Sequence, residues 1–400
     1  MYPRLLKQPL RFENSFFLFG PRGTGKTTWL KENFPRAVYL DLLDSALYTD
    51  LLAHPERLGA LVPRGGADTV ILDEVQRVPE LLNETHRLIE SEGTRFILTG
   101  SSARTLRRGG VNLLAGRALT FHMHPLTRAE LGNDFDLDSS LLRGHLPLAQ
   151  SAPDPRLFLK SYVQSYLREE VLQEGLTRNI GSFARFLEAA SFSQASILNV
   201  TETARDCAVE RKTVSGYFQV LEDLLLSVTV PVFSRKAKRR LVSHAKFYYF
   251  DTGVYRALRP AGPLDRREEI EGSCLETLVF QELRALNDYL DLGYRIHFWR
   301  TSTGAEVDFV LYGERGLVAI EVKRARRVTR EDLSGLSLFK ADYPSARCVM
   351  LFGGERGEYL DGIELIPFEE GFRSLGDIIR EPDPSRSGSS ERSPTPRTGS

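Results

Sequence analysis

The sequence predicts an α/β protein: a parallel sheet covered by helices, then a helical segment, then a second α/β block. Three observations carry this expectation. From residue 15 to about residue 125, short β-rich runs (SFFLFG, AVYLDL, TVILDEV, TRFILTGSS, ALTFHMH) alternate with helical patterns such as PELLNETHRLIES, the mark of βαβ units and a sheet buried on both faces. A glycine-rich loop, GPRGTGKTT, leaves the first of these runs directly. Further on, YRIHFWRT, GAEVDFVLY, LVAIEVK and ARCVMLF form another β-rich block, preceded by the helical pattern CLETLVFQELRALNDYL.

At 400 residues the chain exceeds one ordinary core and implies two or three domains. Lys plus Arg and Asp plus Glu each number 53, so no bulk attraction to nucleic acid or anionic membrane is expected, and any such binding must come from local clusters. Cys207, Cys274 and Cys348 lie far apart with no CxxC spacing, which argues against a zinc knuckle or disulfide framework and suits a reducing compartment. The N-terminal stretch lacks the apolar core of a signal peptide. No apolar run approaches the roughly 18 residues needed to span a bilayer. The expectation is a soluble, cytoplasmic protein with no membrane partner.

The loop Gly20, Pro21, Arg22, Gly23, Thr24, Gly25, Lys26, Thr27, with Thr28 behind it, matches GxxxxGK[ST] between a strand and an amphipathic helix, the context this phosphate cradle requires. Glycines let the backbone wrap so that N–H groups face phosphates, and the helix adds its positive N-terminal end. Lys26 would reach the β and γ phosphates of ATP, and the Thr27 hydroxyl would ligate Mg²⁺. The run VILDE ends in Asp73 and Glu74; a strand buried on both faces can present charge only at its tip. Asp73 would hold the Mg²⁺ and Glu74 would polarise the attacking water.

Thr99, Ser101 and Ser102 end a further strand, where a hydroxyl could position that water or simply cap a helix. Arg117 is either a cation for the transferring phosphoryl group or a surface arginine. His122 and His124 alternate on one strand face, but with no third ligand nearby a structural role is expected.

The motifs GPRGTGKTT, VILDEVQ, LTGSS and LLAGR resemble the AAA+ ATPase domain of a large prokaryotic family whose members carry a C-terminal domain of unknown function. The resemblance extends over residues 10 to 355 and includes G-x-x-P, here Gly144 to Pro147, and YFxDTG, here Tyr249 to Gly253. It implies a P-loop NTPase sheet, ATP binding and hydrolysis.

The segment NVTETARDCAVERKTVSGYFQVLEDLLL predicts two helices joined by a tight turn, with Asn199 and Glu202 at capping-box spacing and Val214, Phe218 and Leu221 in an apolar stripe. The runs SVTVPVF and KFYYF then flank the basic residues 235–240 as a winged helix's wing would, leaving Arg211, Lys212, Ser215 and Gln219 to face DNA. The alternative is a scaffold packed on the ATPase domain, which the formal charge of zero favours.

In GAEVDFVLY and IEVK, alternation puts Glu306 and Asp308 on one strand face and Glu321 and Lys323 on one face of the next. This resembles the core of PD-(D/E)XK nucleases, the restriction-nuclease-like fold. That likeness implies that Asp308 and Glu321 share Mg²⁺, that Lys323 activates water, and that Glu276 adds a carboxylate from the preceding helix, with Glu282 as the alternative. Cleavage and a silent nuclease-like fold both stay open.

The expected domains are an AAA+ P-loop ATPase domain at 1–130, a linker and lid-like segment at 131–160, a winged-helix-like domain at 161–260, a nuclease-like domain at 261–370 and a disordered tail at 380–400. Three functions remain in play. One is an ATPase whose nucleotide state governs a nucleic-acid-binding C-terminal module. Another is a nucleotide-switched adaptor for a protein partner, and the third is an ATP-regulated DNA nuclease. Target, pathway and oligomeric state are not fixed by the sequence.

Overall fold

The computed structural model describes residues 2–62, 69–102, 117–166, 179–263 and 265–381; the expected tail from residue 382 onward and most of LLAGR lie outside them. The chain divides into two compact units, Met1–Thr229 with Ala245–Tyr289, and Val230–His244 with Leu290–Ser400.

Five strands build the sheet of the first unit: β1 (Ser15–Phe19), β2 (Val38–Asp41), β3 (Thr69–Asp73), β4 (Arg95–Gly100) and β5 (Ala118–His122). They are all parallel, in the order β2-β3-β4-β1-β5. Every residue of β1 is buried, and its alternation feeds two cores. Phe17 and Phe19 join Leu40, Leu72 and Leu98 in one cluster, while Phe16 and Leu18 join Trp29, Leu30 and Ile97 in the other. Each such side chain contributes about 1.5–3 kcal/mol of burial free energy. The sequence shows a continuous apolar run for the same reason: both faces are covered. The second cluster also takes in Ala285 and Tyr289 of the long helix Arg267–Tyr289, so this helix belongs to the first unit.

The helices Val200–Asp206 and Arg211–Asp223 occupy the middle segment as the pattern predicts, with the Asn199 side chain capping the first and Val214, Phe218 and Leu221 buried on the second. Strands β6 (Ser196–Ile197), β7 (Ser227–Val230) and β8 (Lys246–Tyr249) form a small sheet in the order β6-β8-β7.

The second unit holds a mixed sheet of β9 (Arg295–Arg300), β10 (Glu306–Gly313), β11 (Gly316–Lys323), β12 (Arg347–Phe352), β13 (Glu358–Leu360) and β14 (Ile363–Pro367), in the order β13-β14-β12-β11-β10-β9. Residues 230–244 are part of this unit. Phe233 sits in its core with Trp299, Phe339 and Met350, and Val232 bridges Phe298. The basic run 235–240 is thus tied to the body that carries β9–β14: the Arg239 Nε donates to Asp342 at 2.9 Å, and the Arg235 guanidinium lies 4.8 Å from the Tyr312 ring centroid.

Candidate functional site

The glycine loop leaves the C-terminal end of β1, beside the ends of β3 and β4, where ligands of open parallel sheets gather. Gly23 and Gly25 have φ of 81° and 91°, a conformation that side chains resist. A Cβ on Gly20 would lie 2.3 Å from the Met123 carbonyl oxygen. The loop ends in the helix Lys26–Asn33, whose first residue is only 6% exposed. The Lys26 ammonium donates to the carbonyl oxygens of Gly20 at 2.7 Å and Pro21 at 3.3 Å, which curls it back into the cradle. A buried ammonium is costly unless anionic or carbonyl oxygens meet it, and this loop is built around one.

Behind the loop, the Thr27 hydroxyl donates to Asp73 at 2.9 Å. The same carboxylate also accepts from the hydroxyls of Tyr39 and Thr99, so three neighbouring elements fix its position. Burial and Asp73 together raise the Tyr39 phenol well above its ordinary value, keeping it a donor. Tyr39 escaped sequence reasoning because β2 shows only a short apolar alternation. Glu74 has φ 60° and ψ 45°, the left-handed region that non-glycine residues enter at a cost, often at functional sites. Its carboxylate accepts from Gln76 and, at 3.3 Å, from Ser101. Ser101 and Thr99 thereby join the two acids, and Gln76, the last residue of VILDEVQ, orients one of them.

A cavity of about 750 Å³ opens beside the loop, lined by Thr24, Gly25, Thr28 and Trp29 from the cradle and by Arg4, Glu130 and Pro147 from elsewhere in the first unit. Pro147 comes from the G-x-x-P element. Tyr162 holds the cradle from outside, donating to the Arg22 carbonyl oxygen at 3.1 Å. The G-x-x-P and D-T-G motifs, 107 residues apart from Gly144 to Asp251, clasp one another. The His145 N–H donates to Asp251 Oδ2 at 2.7 Å, and Asp251 Oδ1 caps the helix Thr252–Leu258 through the Val254 N–H at 3.0 Å. A Cβ on Gly144 would lie 2.1 Å from Asp251 Oδ1, and one on Gly253 would lie 2.3 Å from the Arg143 carbonyl oxygen.

In the second unit the register Phe309 opposite Ile320 puts Asp308 across from Glu321 at the next step. The Asp308 N–H donates to Glu321 Oε2 at 3.3 Å and the Val322 N–H to Asp308 Oδ2 at 3.0 Å. Asp308 also lies in a register shift between Val307 and Val310 against β9, and a bulge re-aims side chains locally. The Lys323 ammonium is 2.8 Å from Asp332 and holds that carboxyl down to about 2, and Asp332 first, with Glu321 and Asp308 adding, raises the ammonium in turn. Glu276 and Glu282 belong to the first unit. Glu276 accepts from Lys246 at 2.9 Å and from the Tyr248 hydroxyl. Glu282 accepts the Arg128 N–H at 2.6 Å, and burial pushes its carboxyl up to about 8. The structure therefore brings Asp308 and Glu321 together and places neither glutamate in their unit. Among the described residues, no group of three or more His, Cys, Asp or Glu side chains is arranged to hold a metal ion.

Arg117 pairs with Glu90 at 2.6 Å, and the buried His124 lies 2.6 Å from Asp288. Arg211, Lys212, Ser215 and Gln219 are exposed on their helix. Among the described residues, no helix is long and apolar enough to cross a membrane.

Residues 13–132 match an AAA domain. Residues 134–265 match a domain of unknown function, DUF8612, and residues 271–370 another, DUF4143. An uncharacterized protein of Haemophilus influenzae is 23% identical over 319 residues, 74% of this chain and 75% of its own length. An uncharacterized protein of Methanocaldococcus jannaschii is 24% identical over 336 residues, 74% of this chain and 72% of its own. Among solved structures, a signal transduction ATPase with numerous domains and a tetratricopeptide repeat sensor from Pyrococcus horikoshii is 13% identical, with 73% of this chain and 48% of that one covered at a TM-score of 0.23. Can2 of Sulfobacillus thermosulfidooxidans, solved with cyclic tetra-adenylate, is 12% identical, with 94% and 98% covered at 0.22. Scores that low leave the backbones unsuperposed, so neither structure bears on function here. The chain thus carries an AAA-type ATPase domain at its N-terminal end and a DUF4143 domain towards its C-terminal end.

Proposed function

We propose that the chain is an ATPase that binds ATP with Mg²⁺ at residues 20–28 and hydrolyses it, and that nucleotide state governs a C-terminal binding module. The observation that carries this reading is the Thr27–Asp73 hydrogen bond at 2.9 Å, directly behind a cradle that buries Lys26. The donor set suits the ligand: a lysine and loop N–H groups for phosphate oxygens, a hydroxyl and a carboxylate for a hard divalent cation. Lys26 would neutralise the β and γ phosphates, Thr27 and Asp73 would hold the cation, and Glu74, oriented by Gln76 and Ser101, would polarise the attacking water. The cation supplies charge neutralisation for phosphoryl transfer. The adjoining cavity has room for the nucleotide's base and sugar, with Pro147 on its wall. Because Pro147 follows His145, and His145 is clasped to Asp251, the wall is continuous with β8 and the helix behind it.

Titration calorimetry and turnover together test this. Lys26→Ala should weaken ATP binding at least 100-fold, whereas Glu74→Gln should bind as the parent does and lose turnover by a similar factor. Parental ATP affinity in Lys26→Ala would sink the phosphate-cradle reading.

A nuclease reading of the second unit draws on Asp308 and Glu321 facing one another. Against it stands Lys323, committed to Asp332. Mg²⁺-dependent nicking of plasmid by the parent and not by Asp308→Asn would establish cleavage; no nicking by the parent leaves a binding module.

A further inference from the structure

Strand β11 ends in Lys323, and the next stretch, Arg324-Ala-Arg326-Arg327-Val-Thr-Arg330, places four arginines in seven residues. The geometry points to a closed, rigid loop. Lys323 at its start and Asp332 at its end are joined by the 2.8 Å ion pair. Asp332 also accepts from the Thr329 N–H at 2.9 Å and hydroxyl at 2.7 Å. On the other side the Gly353 N–H donates to the Ala325 carbonyl oxygen at 3.1 Å, and Gly353 and Gly354 let the neighbouring turn approach closely: a Cβ on Gly353 would lie 2.3 Å from the Arg324 carbonyl oxygen and one on Gly354 3.0 Å from that of Arg326. Val328 points inward against the core. The arginines are exposed. Within the described residues Arg326, Arg327 and Arg330 form no ion pair, while Arg235 and Arg239 of the other basic run are committed to Tyr312 and Asp342.

We propose that this loop binds the phosphate backbone of a nucleic acid. The guanidiniums of Arg326, Arg327 and Arg330 on a pre-ordered loop, with Arg324 beside them and Asp332 spent on Lys323, make a concentrated positive site in a chain of zero formal charge. Guanidinium forks match phosphate oxygens two at a time, and little ordering entropy remains to be lost. The surroundings choose among polyanions. An acidic protein partner needs an aromatic or aliphatic anchor at the centre of its interface, but the large exposed hydrophobic residues of this unit, Tyr359 and Leu360, sit on β13, separated from β11 by β14 and β12. A bilayer surface holds a protein firmly when apolar side chains insert beside the charges, and Val328 is turned inward. What remains is recognition by charge alone, as along a nucleic-acid backbone. This inference stands apart from the ATP site.

The test is fluorescence anisotropy of the full chain with a mixed-sequence 20-base-pair DNA duplex over a salt series. Arg324→Gln, Arg326→Gln, Arg327→Gln and Arg330→Gln together should weaken binding at least tenfold and flatten the log–log salt slope by about 0.9 per lost phosphate contact. The four corresponding lysine variants should keep most of the slope. With no nucleotide present, Lys26→Ala should bind the duplex as the parent does, and the quadruple glutamine variant should still bind ATP, so failure here is separable from failure of the ATPase reading. An unchanged slope in the glutamine variant, no duplex binding by the parent at low salt, or preference for anionic vesicles over duplex overturns the proposal.

Discussion

Glu282 shows how one buried carboxyl can be tested by pH. Burial is the main cause raising it to about 8, with Glu130 adding to the rise and the Arg128 N–H and charge opposing it. His145, whose Nδ1 lies 3.9 Å from Glu282, is pushed down to about 4 by burial. Near pH 6 the pair is therefore two neutral groups rather than an ion pair, with His145 Nδ1 donating to the Leu126 carbonyl oxygen at 2.7 Å. A carboxyl whose folded value is raised binds more protons folded than unfolded, so its contribution is fully present below its unfolded value and is lost as pH climbs through about 8. Asp251, raised to about 6, has the same sign but completes its loss earlier, and His145 has the opposite sign and acts below its ordinary value. Between pH 6.5 and 8.5 Glu282 thus dominates this group. Glu282→Gln keeps an acceptor for the Arg128 N–H and removes the charge. In thermal melts the parent should lose several degrees across that window and the variant should lose little; parallel losses in the two would contradict the assignment.

The two motifs of the clasp test an element as a whole. Gly144 has φ 64° and its absent Cβ is the space into which Asp251 reaches. Gly144→Ala must displace a carboxylate that caps a helix and holds the His145 N–H, with left-handed strain in addition. A loss of about 3 kcal/mol in urea unfolding is expected, whereas alanine at Gly272, where nothing crowds the Cβ, should be neutral or stabilising. The motifs were legible in the sequence; their embrace was not, because 107 residues separate them and no local pattern encodes a contact of that range. The same limit applies elsewhere. Strand β3 and its acids could be found because a run buried on both faces ends abruptly in charge. Tyr39 could not, since one aromatic residue on a half-buried strand looks like packing. Glu276 reads as a third acid of the C-terminal site; helical periodicity places it on a face but names no neighbours there, and its carboxylate accepts from Lys246 and Tyr248.

At the scale of the whole molecule, the second unit is assembled from two segments, Val230–His244 and Leu290–Ser400, between which the chain returns to the first unit. The basic run looked like a wing because two β-rich stretches flank it. Its apolar neighbours tie it to the second unit: Phe233 packs with Trp299, Phe339 and Met350, its N–H donates to the Phe298 carbonyl oxygen at 2.7 Å, and Tyr343 bonds the Arg235 carbonyl oxygen at 2.8 Å. Phe233 is 2% exposed, so truncation to alanine should cost about 3–5 kcal/mol. That cost must fall on the body that Phe233 holds together. Hydrogen exchange of Phe233→Ala should accelerate amides of β9, β10 and β12 while β1, β3 and β4 exchange as in the parent, because local stability follows the cooperative unit rather than sequence distance. Phe233 is only eight residues from Leu225, which packs on the first unit's sheet core. If the variant instead loosened β1, β3 and β4 as much as β9, β10 and β12, residues 230–244 would belong to the first unit and the discontinuous assembly would be wrong.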